Sequence, residues 1–231
     1  MIQDLLIAGS GGFARETAAA VAAVNEVRPT WRLRGLLDDD PARYGRERGG
    51  LPVLGPLSTV DDLPDAAVVV CIGNPRDYGV RARVVDRLGL PVARYATVVH
   101  PSVALGSGCL IGPGTVILAQ TVLTADVTVG AHVAVMPQVV LTHDTVVEDF
   151  VTIGSGVRLG GGARVSEGAY LGAGSLVRET LTIGSGSLLG MGAVALCDVP
   201  ADEVWVGNPA RRLRGTNLSA GAAGALPGSA T

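Results

Sequence analysis

The sequence predicts a small α/β domain followed by a long parallel β-helix, and two patterns carry that prediction. From Val99 to Leu189 an aliphatic residue stands at every sixth position without a miss: Val99, Leu105, Ile111, Ile117, Leu123, Val129, Val135, Leu141, Val147, Ile153, Leu159, Val165, Leu171, Val177, Ile183 and Leu189. A fixed period sustained over this many repeats marks a solenoid. Ahead of it, Leu5-Leu6-Ile7-Ala8 runs into Gly9-Ser10-Gly11-Gly12-Phe13 and an Ala-rich stretch, the strand, glycine turn and helix of a mononucleotide-binding unit.

The elements follow in order. Leu5 to Ala8 reads as a buried strand and about Arg15 to Val27 as a helix. A second strand, Leu33 to Leu37, ends in Asp38-Asp39-Asp40-Pro41. Ala67 to Ile72 is an all-apolar strand ending in Gly73-Asn74-Pro75, and a helical stretch follows from about Asp77 to Leu88. Open parallel sheets bind ligands at the carboxyl ends of their strands. Gly9, Ser10, Gly11, Gly12, Phe13, Asp38, Asp39, Gly73 and Asn74 are therefore expected to share one crevice. A glycine turn approaches phosphate closely, and an Asp at a strand end accepts hydrogen bonds from a base or ribose. Asp38 lies too far from Gly9 for the acid of a dinucleotide fingerprint, so NAD is the minor reading.

In the second half, neither a helix nor a flat strand returns the same face every six residues, whereas a short strand plus a corner does. Small or β-branched residues such as Thr115, Thr121 and Val127 stand four positions after the aliphatic ones. Gly often follows the aliphatic residue directly, at Gly106, Gly112, Gly130, Gly154, Gly160, Gly172, Gly184 and Gly190, where a corner demands tight or positive-φ backbone. The expected division is residues 1–97 for the α/β domain, 98–214 for the β-helix and 215–231 for a low-complexity tail read as disordered.

Composition narrows the function. With a net charge of −3 and a pI near 5.6, nothing points to nucleic acid or an anionic membrane as partner. All 18 basic residues are Arg. Cys71, Cys109 and Cys197 are odd in number and widely spaced, which fits reduced thiols in a cytoplasmic protein better than a disulfide framework or a zinc site. The N-terminus lacks the charged and long apolar regions of a signal peptide. The mean hydropathy of +0.40 reflects a packed repeat, since no apolar run approaches the length of a membrane span.

The chain has three histidines, His100, His132 and His143, and none falls in an interior slot of the repeat. His143 sits two positions past the inward Leu141, at a corner. Imidazole titrates in the range of a general base, and the adjacent Asp144 reads either as a carboxylate that orients it or as an ordinary corner turn residue. His100 reads as structural and His132 as an exposed corner or a contact between subunits. The three lie on different sides of the repeat and cannot converge on a metal ion, so no metal is expected.

These features together resemble the bacterial hexapeptide-repeat sugar acetyltransferases of the bacillosamine, perosamine and sialic acid pathways. The motifs that carry the resemblance are Gly9-Ser10-Gly11-Gly12-Phe13, Leu36-Leu37-Asp38-Asp39, Ile72-Gly73-Asn74, Val99-His100-Pro101-Ser102, Thr142-His143-Asp144 and Val206-Gly207-Asn208-Pro209-Ala210. The resemblance implies a Rossmann-like nucleotide-binding α/β domain followed by a left-handed parallel β-helix, three copies of which pack side by side as a homotrimer. It implies acetyl-CoA as acyl donor and a nucleotide-linked amino sugar as acceptor, with His143 as general base and Asp144 as its acid. Acetyl-CoA contacts are implied at Thr152, Gly172, Ala173, Gly190, Met191 and Gly192, and nucleotide contacts in the N-terminal crevice. Two positions depart from the pattern: some relatives carry a second His where Thr152 stands and an Asn where Met136 stands. O-acetylation of a sugar or sialic acid, or a non-catalytic nucleotide-sugar scaffold, are the alternative functions.

Overall fold

The computed structural model describes residues 2–216. The N-terminal half comprises β1 (Gln3–Ala8), α1 (Gly12–Val27), β2 (Trp31–Leu37), β3 (Glu47–Arg48), β4 (Leu51–Gly55), β5 (Ala67–Val70) and α2 (Val80–Leu88). The sheet order is β3-β4-β2-β1-β5, parallel throughout except for the β3–β4 hairpin. Leu5, Leu6, Ile7 and Ala8 are fully buried at its centre, as their unbroken apolar run requires for a strand covered on both faces. The short β3–β4 hairpin escapes the sequence reading because its strands are brief and Pro52, which removes a backbone donor, argues against a strand there.

From Val98 onward, strands of two residues follow one another every six positions and stack at intervals of 18, so that Val122 pairs with Ala104 on one side and with Val140 on the other. Three flat faces result. The first runs through Val98–Val99, Val116–Ile117, Ala134–Val135, Thr152–Ile153, Tyr170–Leu171 and Leu188–Leu189; the second through Ala104–Leu105, Val122–Leu123, Val140–Leu141, Arg158–Leu159, Leu176–Val177 and Val194–Ala195; the third through Leu110–Ile111, Thr128–Val129, Val146–Val147, Arg164–Val165 and Thr182–Ile183. The aliphatic series from Ile117 to Leu189 fills the prism with buried side chains, each contributing about 1.5–3 kcal/mol. At the open first coil the pattern fails: Leu105 is 51% exposed, because no earlier coil covers it.

The corners separate two backbone demands. Every sixth residue from Gly108 to Gly192 has positive φ, including Gln120, Asp126, His132, Gln138, Asp144, Phe150 and Thr180. The glycines that directly follow the aliphatic residues do not have positive φ; they are needed for close approach. A Cβ on Gly172 would lie 2.5 Å from the Met191 backbone nitrogen in the next coil. Of the two causes considered from the sequence, tight packing therefore explains these glycines, and the left-handed residues fall two positions later.

The α/β half lies against the first face. Val98, Val116 and Leu118 share a core with Leu5, Ile7, Val69 and Ala14, and Met136 packs against the same cluster, so no break in packing marks residue 97. At the other end, strand Glu203–Val206 extends the first face beside Leu188–Leu189 and folds back antiparallel onto Arg211–Gly215. Gly215 thus closes a strand and Thr216 donates its N–H to the Asp202 carbonyl; the rest of the tail, expected to be disordered, lies outside the described residues. All three cysteines are free. Among the described residues no helix is long and apolar enough to cross a membrane.

Candidate active site

His143 and Asp144 occupy the corner between the second and third faces. Asp144 takes the left-handed conformation, φ 59°, which Asp tolerates better than most residues. Asp144 Oδ2 lies 2.7 Å from His143 Nδ1. With Nδ1 engaged as the donor, Nε2 carries the free lone pair. Both side chains are 67% exposed. One coil further on, the imidazole lies over Gly161, where a Cβ would come 2.5 Å from both Cε1 and Nε2. The Gly161 N–H has no acceptor among the described residues, while the neighbouring Gly162 N–H is tied to the His143 carbonyl at 2.9 Å. The 18-residue spacing from His143 would have revealed Gly161 in the sequence.

Gly172, Ala173, Gly190, Met191 and Gly192 form a column along a different edge, between the first and second faces. Met191 is 79% exposed there. Thr152 is not part of that column. It lies on the first face, buried, and its Oγ1 accepts from Arg81 Nη2 at 2.9 Å.

The strand ends of the N-terminal sheet open into a crevice of about 640 Å³ lined by Gly9, Ser10, Gly11, Gly12, Phe13, Asp38, Asp39 and Gly73. Asn74 is not in the lining; its Oδ1 accepts from the Arg76 N–H and orders the loop. Gly11 caps α1 without a side-chain hydrogen bond, which leaves that helix N-terminus facing the crevice and suited to an anion. The two acids are engaged internally. Asp38 accepts from the Ser10 hydroxyl, from Arg43 Nη1 at 3.0 Å and from the Asp40 N–H. Asp39 accepts from the Leu57 N–H and pairs with Arg87 at 2.5 Å. Arg43, Arg76, Arg83 and Arg87 line the same crevice. Sequence reading missed these arginines, because in a chain whose basic residues are all Arg no single one stands out.

The histidines do stand at three different corners. His100 Nδ1 lies 2.8 Å from the Ser102 hydroxyl. His132 is neither exposed nor available to a second subunit: it is buried between the two halves, stacked on Phe150 with ring centroids 5.2 Å apart and edge-on to Tyr95 at 4.5 Å. Burial, with the Arg81 charge nearby, pushes its pKa down to about 4. A six-residue frame marks corners but does not show which of them another domain covers. Among the described residues no group of His, Cys, Asp or Glu is arranged to hold a metal ion.

An α/β domain set on a β-helical prism is a build that the chain shares with solved bacterial sugar acetyltransferases. More particularly, residues 4–88 match the PglD N-terminal domain. The chain is 31% identical over 117 residues to the UDP-N-acetylbacillosamine N-acetyltransferase of Bacillus subtilis (strain 168), a match covering 49% of this chain and 50% of that one, about half the length of the curated relative. The acetyltransferase domain of PglB from Neisseria gonorrhoeae FA1090, solved in complex with acetyl coenzyme A, superposes with a TM-score of 0.82 and 28% identity over 92% of this chain and 100% of that one. PerB from Caulobacter crescentus, solved with CoA and GDP-perosamine, superposes with a TM-score of 0.80 and 25% identity over 92% of this chain and 98% of that one. The fold class is therefore a Rossmann-like domain followed by a left-handed β-helix.

Proposed function

We propose that the chain transfers the acetyl group of acetyl-CoA to the amine of a nucleotide-linked amino sugar, as a cytoplasmic homotrimer. The observation that carries this reading is the His143–Asp144 pair: Nδ1 held at 2.7 Å by the carboxylate and Nε2 free above a glycine, in a chain that superposes on relatives holding acetyl-CoA and GDP-perosamine. In the proposed step the amine attacks the thioester carbonyl carbon while Nε2 of His143 takes its proton. The Gly161 N–H, which has no acceptor among the described residues, is our candidate donor to the oxyanion that forms. Collapse breaks the C–S bond, and the CoA thiolate leaves and recovers a proton from the imidazolium. Binding amine and thioester together supplies much of the rate through proximity.

The second face of the prism supports the trimer in this reading. The outward residues of the second face are Ala104, Val122, Val140, Arg158, Leu176 and Val194, apolar but for one. Three such faces packed about a threefold axis bury that surface. They also bring the His143 edge of one subunit beside the Gly172–Gly192 edge of its neighbour, two edges that stand apart within one chain. The groove between them would take acetyl-CoA, and the N-terminal crevice would take the nucleoside diphosphate.

Thiol release from acetyl-CoA, measured across UDP-, GDP- and dTDP-linked 3-amino and 4-amino sugars with free sialic acid as a further acceptor, tests the reading. Release with an amino-sugar nucleotide supports it. Release with sialic acid alone makes the chain an O-acetyltransferase, and silence across the panel without CoA binding makes it a scaffold.

A further inference from the structure

Arg81, on α2, is 2% exposed and has no carboxylate partner among the described residues. A buried guanidinium without an anion is costly unless carbonyl dipoles surround it. Here they do, and nearly all of them come from the prism: Nε donates to the His132 carbonyl at 2.8 Å, and Nη2 to the Phe150 and Val151 carbonyls and to Thr152 Oγ1 at 2.8, 3.0 and 2.9 Å. The remaining bond, Nη1 to the Ile72 carbonyl at 3.4 Å, reaches the strand end that opens the crevice.

The acceptor carbonyls belong to an unusual corner. His132 and Phe150 both have positive φ, a strained choice for a bulky side chain, and their rings stack on each other. The pair fixes two successive corners of the prism against α2, and one planar fork ties them together. A guanidinium can span four acceptors in this way; an ammonium is a point charge and cannot.

We propose that Arg81 is a positioning residue: it sets the orientation of the nucleotide crevice on the prism, and thereby selects acceptors delivered by the crevice over acceptors that reach the His143 corner unaided. A misplacement of the order of 1 Å costs about a hundredfold in rate when reactants must be aligned. The activity part of the proposal rests on the acetyl-transfer reading above.

The test uses the full chain carrying Arg81→Met or Arg81→Lys. In Arg81→Met, turnover of a nucleotide-linked amino sugar is expected to fall at least about tenfold relative to turnover of the same amino sugar without its nucleotide. Arg81→Lys is expected to fall between this variant and the parent, and the Kd for the nucleoside diphosphate alone should stay within about twofold. Parallel loss with both acceptors, or no loss with either, overturns the proposal. Should Arg81→Met fail to fold, Thr152→Val removes one acceptor of the fork and should move the same ratio in the same direction by a smaller amount; an unmoved ratio in that variant overturns the proposal too. A second arm needs no activity: spin labels at Glu26→Cys on α1 and Glu179→Cys on the prism, with Cys109 and Cys197 replaced by Ser and the labelled chain diluted into an excess of unlabelled chain, should give a narrow distance distribution that broadens in Arg81→Lys. An unchanged distribution overturns the proposal, and a parent chain that acetylates neither acceptor sinks the functional reading while this arm still decides Arg81.

Discussion

Gly161 lies under the His143 imidazole so closely that a Cβ there would sit 2.5 Å from Cε1 and Nε2. The ring's position is therefore set from two sides, by Asp144 at Nδ1 and by bare backbone beneath. The Gly161→Ala variant should fold, since the φ of Gly161 is not positive, but it must push the ring off its present site. We expect kcat to fall about 10–100-fold, at about 1.4 kcal/mol per factor of ten, with the melting temperature nearly unchanged. An Ala variant with parental kcat would show that the ring has room to move without consequence.

Asp144→Asn keeps a residue that tolerates the left-handed corner and replaces the carboxylate with an amide. If Asp144 orients His143, kcat should drop about tenfold or more, but by less than the 10²–10⁴-fold that the general base itself supplies, while the KM for acetyl-CoA holds. Equal kcat in the Asn variant would reduce Asp144 to a turn residue.

In the crevice, Asp38 ties the glycine turn to Arg43 through Ser10. Asp38→Ala should loosen that turn and raise the KM for the nucleotide-linked acceptor several-fold, on the order of 1 kcal/mol for a lost charge-assisted network. Activity toward an amino sugar lacking the nucleotide should not change. Calorimetry with the nucleoside diphosphate checks the binding part directly.

His132 makes stability depend on pH. Its folded pKa is pushed down to about 4 from the ordinary histidine value of 6.5, so between those values the unfolded chain binds a proton that the folded chain refuses. Stability from this group is fully present above pH 6.5 and is lost as pH falls toward 4. The melting temperature should decline across that window, and His132→Gln should flatten the decline even if it lowers the melting temperature overall. An equally steep slope in the Gln variant would assign the acid lability to other groups.

Much of this was legible in the residues and some was not, for physical reasons. The prism could be read because a six-residue turn repeats one steric demand many times, so one pattern fixes strands, interior and corners together; even the place of Gly161 follows from adding one coil to His143. The crevice's glycine turn was legible because strand, turn and helix are local. Arg81 and the burial of His132 were hidden, since both depend on where two domains meet, and no local period records a contact between α2 and corners about 50–70 positions further along the chain. The engagement of Asp38 and Asp39 by Arg43 and Arg87 was hidden for the same reason: a carboxylate at a strand end looks alike in sequence whether it awaits a ligand or already holds an arginine.

The central claim is that His143 takes the proton from the attacking amine. The most direct measurement is thiol release from acetyl-CoA by His143→Ala, with the best acceptor of the amino-sugar panel and with the oligomer confirmed intact. The account predicts loss of at least about a hundredfold in kcat with the KM for acetyl-CoA little changed; turnover equal to that of the parent chain would contradict it and move the base elsewhere.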